Sequence, residues 1–400
     1  MDEADVTQPI RRSILETCYY GTAQFDGQVD GYKAAATEGE ALDDFAFQVL
    51  NGAGDLLDLM HVIDPQNAPD WTKMTHEEAQ FFVQSRGMCS ALIKVLGAYE
   101  DIFMSHSSWF VYQATMRIYK HYNFNVQDKA TAAKQISFSS YPGINMVMLQ
   151  TTNNVFNTSL YQYVSSESLL AWQRVRVANM MAHDGKQWGQ VFSLYNSGTY
   201  NNQYMILDLK KVHLKSSLDD GALYVVEQIP SLIVYEDVTQ ILRTGYWPSY
   251  NVPFFEIIYN KSGYPDFVAQ HGTDYTYQLA PRAKIFRRDE GNVVDMKTMK
   301  KIMRYNDYKN DPYSEGDSCN AICCRGDLKH PKAGPFGCYD TKVSNYSMAL
   351  SFQADIINGP TLGSGLPPFV WTGSYKQSHV GLPEKYAFDF LTTKPKFRKK

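Results

Sequence analysis

The sequence predicts a mixed α+β protein in which antiparallel sheets are covered by helices. Three observations carry this. Runs of alternating polarity recur along the chain and are joined by short connections, which suit antiparallel pairing. Amphipathic stretches at helical spacing fall between groups of runs rather than after each one, so the strict βαβ alternation of a doubly wound sheet is missing. No G-x-G-x-x-G opens a helix and no P-loop occurs, which removes the usual nucleotide-binding arrangements. The 400 residues leave one large domain or several ordinary ones of roughly 150 residues open. No repeat, low-complexity stretch or Pro/Gly/Ser linker divides them.

In chain order, residues 40–60 read as helix, broken at Asn51-Gly52-Ala53-Gly54. From Cys89 the pattern turns extended. Cys89, Ala91, Ile93 and Val95 share one face, while Ser90, Leu92 and Lys94 share the other. A second strand, Ile102 to Ser105, follows a turn at Gly97. Tyr112, Thr115, Met116 and Tyr119 then recur at helical spacing. Two further strand-like runs flank Tyr141-Pro142-Gly143. Leu169, Trp172 and Val175 place an amphipathic helix over 166–182, and Trp188, Phe192 and Tyr195 a shorter one. Strands return at 203–210, 222–229 and 232–236, and Lys284-Ile285-Phe286 reads as another. A helix is predicted at 293–304, and beyond Tyr305 the chain reads as mostly irregular.

Composition narrows the function. Hydrophobic residues are 44% and aromatics 14% against 20% charged, so the chain buries a sizeable core. With 38 basic and 42 acidic residues it lacks the excess that a phosphate backbone requires, and nucleic acid is not an expected partner. No apolar run approaches the ~18 residues of a membrane span. The start, Met1-Asp2-Glu3-Ala4-Asp5, is acidic without an apolar core and read literally is cytoplasmic. Other features oppose that. Asn157-Thr158-Ser159, Asn260-Lys261-Ser262 and Asn345-Tyr346-Ser347 are N-glycosylation acceptors. Cys319, Cys323, Cys324 and Cys338 crowd into a C-x3-C-C-x13-C pattern that departs from zinc-site spacing. Two local disulfides are expected, with reduced thiols as the alternative and the pairing open. A secretory protein whose leader is absent from this sequence fits both sets of features. No metal or cofactor is expected.

Standard hydrolase signatures are missing, with neither G-x-S-x-G nor H-E-x-x-H present. Cys89, opening a strand after Gly87-Met88, would alone be a buried packing residue. A wider comparison changes that. Long blocks of the chain resemble the phospholipase B-like family: Cys89–Val95, His106-Ser107-Ser108-Trp109, Ser137–Gly143, Trp172–Met181, Tyr195–Asp208, Glu227–Pro230, Tyr246–Pro253, Ala280–Arg288 and Met303–Tyr313. Cys319–Cys324 and Gly337-Cys338-Tyr339-Asp340 are similar to its type 1 branch.

The resemblance implies a four-layer αββα sandwich of the N-terminal nucleophile hydrolase type. It implies a self-cut between Met88 and Cys89, so that residues 1–88 form a pro-fragment and 89–400 the nucleophile-bearing chain of one shared domain. Physical chemistry suits a cysteine there. The thiol can attack the preceding carbonyl, and the freed α-amine, with a reference pKa of about 7.7–8.0, can act as general base. Carried over by matching blocks, His106 and Trp109 line the pocket, Asn251 is the oxyanion-side asparagine, and Arg282 holds the amine or the intermediate. Asn201 and Asn202 are second choices, with turn formation the preferred role. The implied reaction is deacylation of phospholipids or related ester and amide lipids, and the two cleaved fragments stay associated. An amidase or peptidase of the same fold, or an inactive glycoprotein scaffold, are the alternatives. The implied location is the lysosome or the medium. Relative to the family pattern, the chain is expected to lack part of the segment before the nucleophile and a core strand after Gly143. Met88 replaces the usual histidine.

Overall fold

A seven-stranded and a four-stranded sheet, both antiparallel, carry the fold. The computed structural model describes residues 3–395 apart from positions 117, 124–125, 127–128, 134, 138–144, 372–374 and 376. The principal helices are α1 (Glu3–Ala35), α2 (Asp44–Asn51), α3 (Ala53–Ile63), α4 (His76–Ser85), α5 (Ala171–Met181), α6 (Gly185–Ser193), α7 (Pro281–Asp289) and α8 (Met296–Met303). The sheet strands are β1 (Met88–Val95), β2 (Ile102–Val111), β3 (Met146–Thr152), β4 (Asn202–Asp208), β5 (Leu223–Ile229), β6 (Leu232–Asp237), β7 (Tyr246–Ser249), β8 (Phe336–Cys338), β9 (Asp340–Asn345), β10 (Asp355–Asn358) and β11 (Leu391–Thr392). The larger sheet runs β7-β1-β2-β9-β10-β11, with β8 also paired to β2. The smaller runs β6-β5-β4-β3.

Side-chain alternation sorts the strands into layers. Ala91, Ile93, Val95, Ile102 and Met104 of the larger sheet share one core with Val147, Leu149, Met205, Leu207 and Val225 of the smaller. The opposite face of the larger sheet sends Leu92, Phe103 and Val343 against α4, α7 and α8. The opposite face of the smaller sends Met148, Tyr204 and Val226 against Val177, Trp188 and Phe192 of α5 and α6. Helices therefore lie on the outer face of each sheet. Residues before Cys89 contribute to the same cores: Ile14 joins the α5–α6 layer, while Ala79 and Val83 join the α7–α8 layer. No helix among the described residues is long and apolar enough to cross a membrane.

Several predicted elements appear as read. The break at 51–54 separates α2 from α3, and the two faces of β1 divide as the alternation requires. Tyr141–Gly143, and most of the block Ser137–Gly143, lie outside the described residues. The flanking run becomes β3. Others differ. Lys284–Phe286 belongs to α7, not to a strand. Pro281 sits in its first turn with a pre-set φ, and Arg282, Ile285 and Phe286 bury one helical face. A three-residue apolar window cannot distinguish that from a strand. Among the described residues of 112–119 there is a single turn, Tyr112–Ala114; Met116 is exposed while Tyr112 and Thr115 are buried, so the helical spacing does not trace one buried face. β2 runs six residues beyond Ser105, and β8 to β10 fall where irregular chain was expected. His106 and Ser108 on β2, Asp340 and Lys342 on β9, and Asp355 and Asn358 on β10 break the apolar alternation, whereas β8 sets Phe336 and Cys338 in the apolar core and is only three residues long.

Both expected disulfides are present, as Cys319–Cys324 and Cys323–Cys338. They sit in the helix-facing core of the larger sheet. A zinc arrangement is thereby set aside. Cys18 and Cys89 remain free thiols.

Candidate active site

At the head of β1 the inter-sheet layer changes from apolar to polar. Cys89 lies on the same face as Ala91, Ile93 and Val95 but meets no apolar core. Its register partner on β2 is Ser108, and His106 of β2 pairs with Lys342 of β9. Alternation puts Cys89, His106, Ser108, Asp340 and Lys342 on one side of the larger sheet. Asp340 accepts from the Ser108 main-chain N–H at 2.9 Å and from Lys342 Nζ at 2.7 Å, and Lys342 also donates to Ser108 Oγ at 2.9 Å. A charged pair thus grips the residue that faces the nucleophile. Burial pushes the Cys89 thiol up to about 11, while the Lys342 charge, the Trp109 main-chain N–H and Arg282 pull against it. Burial likewise drives His106 down to about 3, so its ring is neutral.

Asn251 reaches Cys89 from the end of β7. Ser249 pairs with Ala91, and two residues later the chain takes a left-handed turn with Asn251 at φ 68°. Asparagine tolerates that region better than most side chains. Its Oδ1 accepts from the Cys89 N–H at 3.0 Å and its Nδ2 donates to the Thr152 carbonyl at 2.5 Å, so one side chain ties the two sheets together at the nucleophile. Below it, Glu227 of β5 accepts from the Phe254 and Phe255 N–H groups at 2.8 and 3.0 Å, fixing the loop that follows. Burial raises that carboxyl to about 7.

Arg282 comes from the helix side. Its guanidinium donates to the Cys89 carbonyl, to Ser90 Oγ at 3.2 Å and to the Tyr250 carbonyl at 2.7 Å, and it lies 4.5 Å over the Trp109 ring. No carboxylate pairs with it among the described residues. Burial pushes it down to about 9. Trp109 therefore sits on the far face of β2 from the thiol and reaches the centre through Arg282. A cavity of about 50 Å³, bordered by Met88, Asn251, Arg282 and Cys319, adjoins the Met88–Cys89 bond.

Of the residues singled out from sequence, Asn251 and Arg282 touch Cys89 itself, His106 shares its face, and Trp109 backs the arginine. Asn201 is held by Gln228 and the Gly198 carbonyl, and Asn202 by the Tyr200 carbonyl and the Tyr204 hydroxyl, as turn-building residues are. Sequence reasoning missed Ser108, Tyr200, Asp340 and Lys342. Asp340 was within reach, standing two residues after Cys338 in a block noted only as a family marker. Tyr200 was hidden, because its place depends on Asp58. That carboxylate accepts the Tyr200 N–H at 2.8 Å while Tyr200 holds φ 51°, and a Cβ on Gly54 would stand 2.6 Å from the Tyr200 ring. Among the described residues no cluster of three His, Cys, Asp or Glu side chains is arranged to hold a metal.

The geometry defines a class: an α+β protein with a buried thiol at the head of a strand, beside an amide from the loop after β7 and cations from β9 and α7. A sequence model of the phospholipase B family matches residues 15–393. Phospholipase B-like 1 of Rattus norvegicus is 54% identical over 390 residues, spanning 94% of this chain and 70% of that protein. Phospholipase-B 81 of Drysdalia coronoides is 51% identical over 390 residues, spanning 94% and 70%. Phospholipase B-like protein D of Dictyostelium discoideum is 39% identical over 394 residues, spanning 92% and 69%. The chain belongs to the phospholipase B family.

Proposed function

We propose that the protein is a thiol-dependent acyl hydrolase of the αββα N-terminal nucleophile type, which matures by cutting itself between Met88 and Cys89. One observation carries the reading: Asn251 and Arg282, from different elements, both bond main-chain atoms of the residue whose α-amine the cut would free. In the first step the Cys89 thiol adds to the Met88 carbonyl carbon. The C–N bond breaks, the nitrogen leaves with a proton as the α-amine, and a thioester joins Met88 to Sγ. Water then hydrolyses it, giving a Met88 carboxylate and a free thiol. In turnover the amine takes the thiol proton, the thiolate attacks the acyl carbonyl, and the ammonium returns the proton to the leaving group. The Asn251 Nδ2–H, which now serves the Thr152 carbonyl, would exchange it for the developing oxyanion, with Arg282 adding positive charge.

The substrate class proposed is the acyl ester of a phospholipid, following the names of the relatives, with lipid amides as the second candidate. An inactive scaffold would be expected to hold Cys89 away from Asn251 and Arg282, so their contact weighs against it. Residues 3–88 share two cores with the remainder, which supports two pieces that stay together after the cut. Incubation of cut protein with matched phospholipid and N-acyl-amide panels tests the reading. Absence of thiol-dependent turnover on both panels would end it.

The pH dependence has a definite sign. Burial and the nearby cations Arg282 and Lys342 disfavour an ammonium at the Cys89 nitrogen, with Asp340 opposing, so the amine pKa should fall below its reference of about 7.7–8.0. The amine is the active base only when neutral. The acid limb of a kcat/KM profile is therefore expected below pH 7.7, and Lys342→Met should move it upward. A limb above pH 8 would contradict this.

We also propose passage through the secretory pathway to the lysosome or the medium, which the two disulfides suit. Among the acceptors, Asn260 is exposed, whereas Asn157 donates to the Lys261 carbonyl and Asn345 to Asp101. Protein passing through the secretory pathway should carry its main glycan at Asn260. Glycosidase treatment should then shift its gel mobility, and the shift should shrink in Asn260→Gln.

A further inference from the structure

Across Gly87 from the Met88 cavity lies a second of about 50 Å³, between α3, α4 and the chain that follows β3. His61, Arg86, Asn153, Tyr161 and Tyr200 border it. Arg86 Nη1 lies 3.0 Å from His61 Nε2. A guanidinium has only protons to give, so Nε2 accepts and the ring's one proton sits on Nδ1. Burial, with the Arg86 charge, lowers His61 to about 4, which keeps the ring neutral. That Nδ1 is buried and meets no partner. Asn153 also borders the space, but its amide serves the buried Glu227 carboxyl. An unpaired buried donor costs about 1–3 kcal/mol, so this imidazole N–H at the edge of a cavity needs an explanation.

The charge needs one as well. Arg86 is half-buried, stacks 4.3 Å over Phe82, and pairs with no carboxylate among the described residues. Asp58 is the acid bordering the cavity, but its oxygens are taken by the Tyr161 hydroxyl, the Tyr200 N–H and the Asn201 amide. Asp55, one turn earlier on α3, faces away into Thr199 and the Ala171 N–H. A cation and a neutral imidazole N–H thus border one space. At about 10–15 Å³ per water, that space takes several waters or one tetrahedral oxyanion.

We propose that this cavity is a phosphate subsite, with Arg86 supplying charge and His61 Nδ1 donating a hydrogen bond to a phosphate oxygen. A planar guanidinium matches phosphate oxygens in pairs. The place suits a substrate role. Tyr200 borders the cavity and bonds Gln150 beside the nucleophile, and Thr152, also on its wall, accepts from Asn251. That role rests on the hydrolase reading, whereas the binding does not.

The test separates the two. Full-length Cys89→Ala protein, which neither cuts nor turns over, is titrated calorimetrically with inorganic phosphate and with glycerophosphocholine, against chloride at matched ionic strength. Wild-type protein is titrated in parallel. Binding of a phosphate compound at about millimolar concentration is expected, weakened at least about tenfold by Arg86→Met and by His61→Phe, which keeps a ring but removes the donor. Arg86→Lys, which keeps the charge, should retain part of the affinity. If glycerophosphocholine binds at least as well as phosphate, the source is a lipid headgroup. Binding of inorganic phosphate alone assigns the subsite to the free ion. No binding of either compound at about 50 mM, or binding equal to wild type in both Arg86→Met and His61→Phe, would overturn the proposal. Binding without turnover on any lipid would leave the subsite standing and remove the hydrolase.

Discussion

Cys89→Ala should leave one uncut chain of 400 residues and no measurable turnover. The wild-type protein should instead yield pieces of 88 and 400 − 88 = 312 residues that purify together. The cause is direct. Without Sγ nothing attacks the Met88 carbonyl, no α-amine forms, and both nucleophile and base are lost in one substitution. The fold should persist, since alanine at a 7%-exposed position beside polar neighbours removes only one small atom. Cys89→Ser should cut slowly, a hydroxyl being the weaker nucleophile at neutral pH. Amino-terminal sequencing of the larger piece must begin at Cys89. Normal cutting in Cys89→Ala would end the N-terminal nucleophile assignment.

Asn251→Ala should slow turnover of an acyl substrate by roughly a hundredfold, the usual loss when a preorganised oxyanion donor is removed. Two effects must be separated there, because the residue also occupies left-handed backbone at φ 68°. Alanine strains that conformation and glycine does not. If the amide is what matters, Asn251→Gly should be as slow as Asn251→Ala while melting closer to wild type. A glycine variant with near-normal turnover would assign the residue to backbone geometry alone. Steady-state kinetics beside thermal melts of both variants decide the point.

What the sequence disclosed followed the physics of its patterns. β1 was readable because both its faces are buried in apolar layers, with Cys89 in phase with Ala91 and Ile93. Asn251 and Arg282 were reachable only through long blocks resembling a family, since neither spacing nor periodicity marks an asparagine after a strand or an arginine in a helix's first turn. β9 escaped because its inner face carries Asp340 and Lys342 rather than apolar residues. Tyr200 and His61 escaped for another reason. Their places arise from contacts with Asp58 and Arg86 across the fold, and no local pattern encodes such a meeting.

The two disulfides lie on the helix-facing side of the larger sheet, and Cys89 faces the other way. Thiol–disulfide exchange needs a thiolate to approach a sulfur of the bridge. Here a layer of hydrogen-bonded backbone stands between the partners, and the buried thiol, raised to about 11, offers almost no thiolate before the cut. The chain can thus form its bridges in an oxidising environment while carrying an unprotected nucleophile, because strand alternation keeps the two sulfur chemistries on opposite sides of one wall.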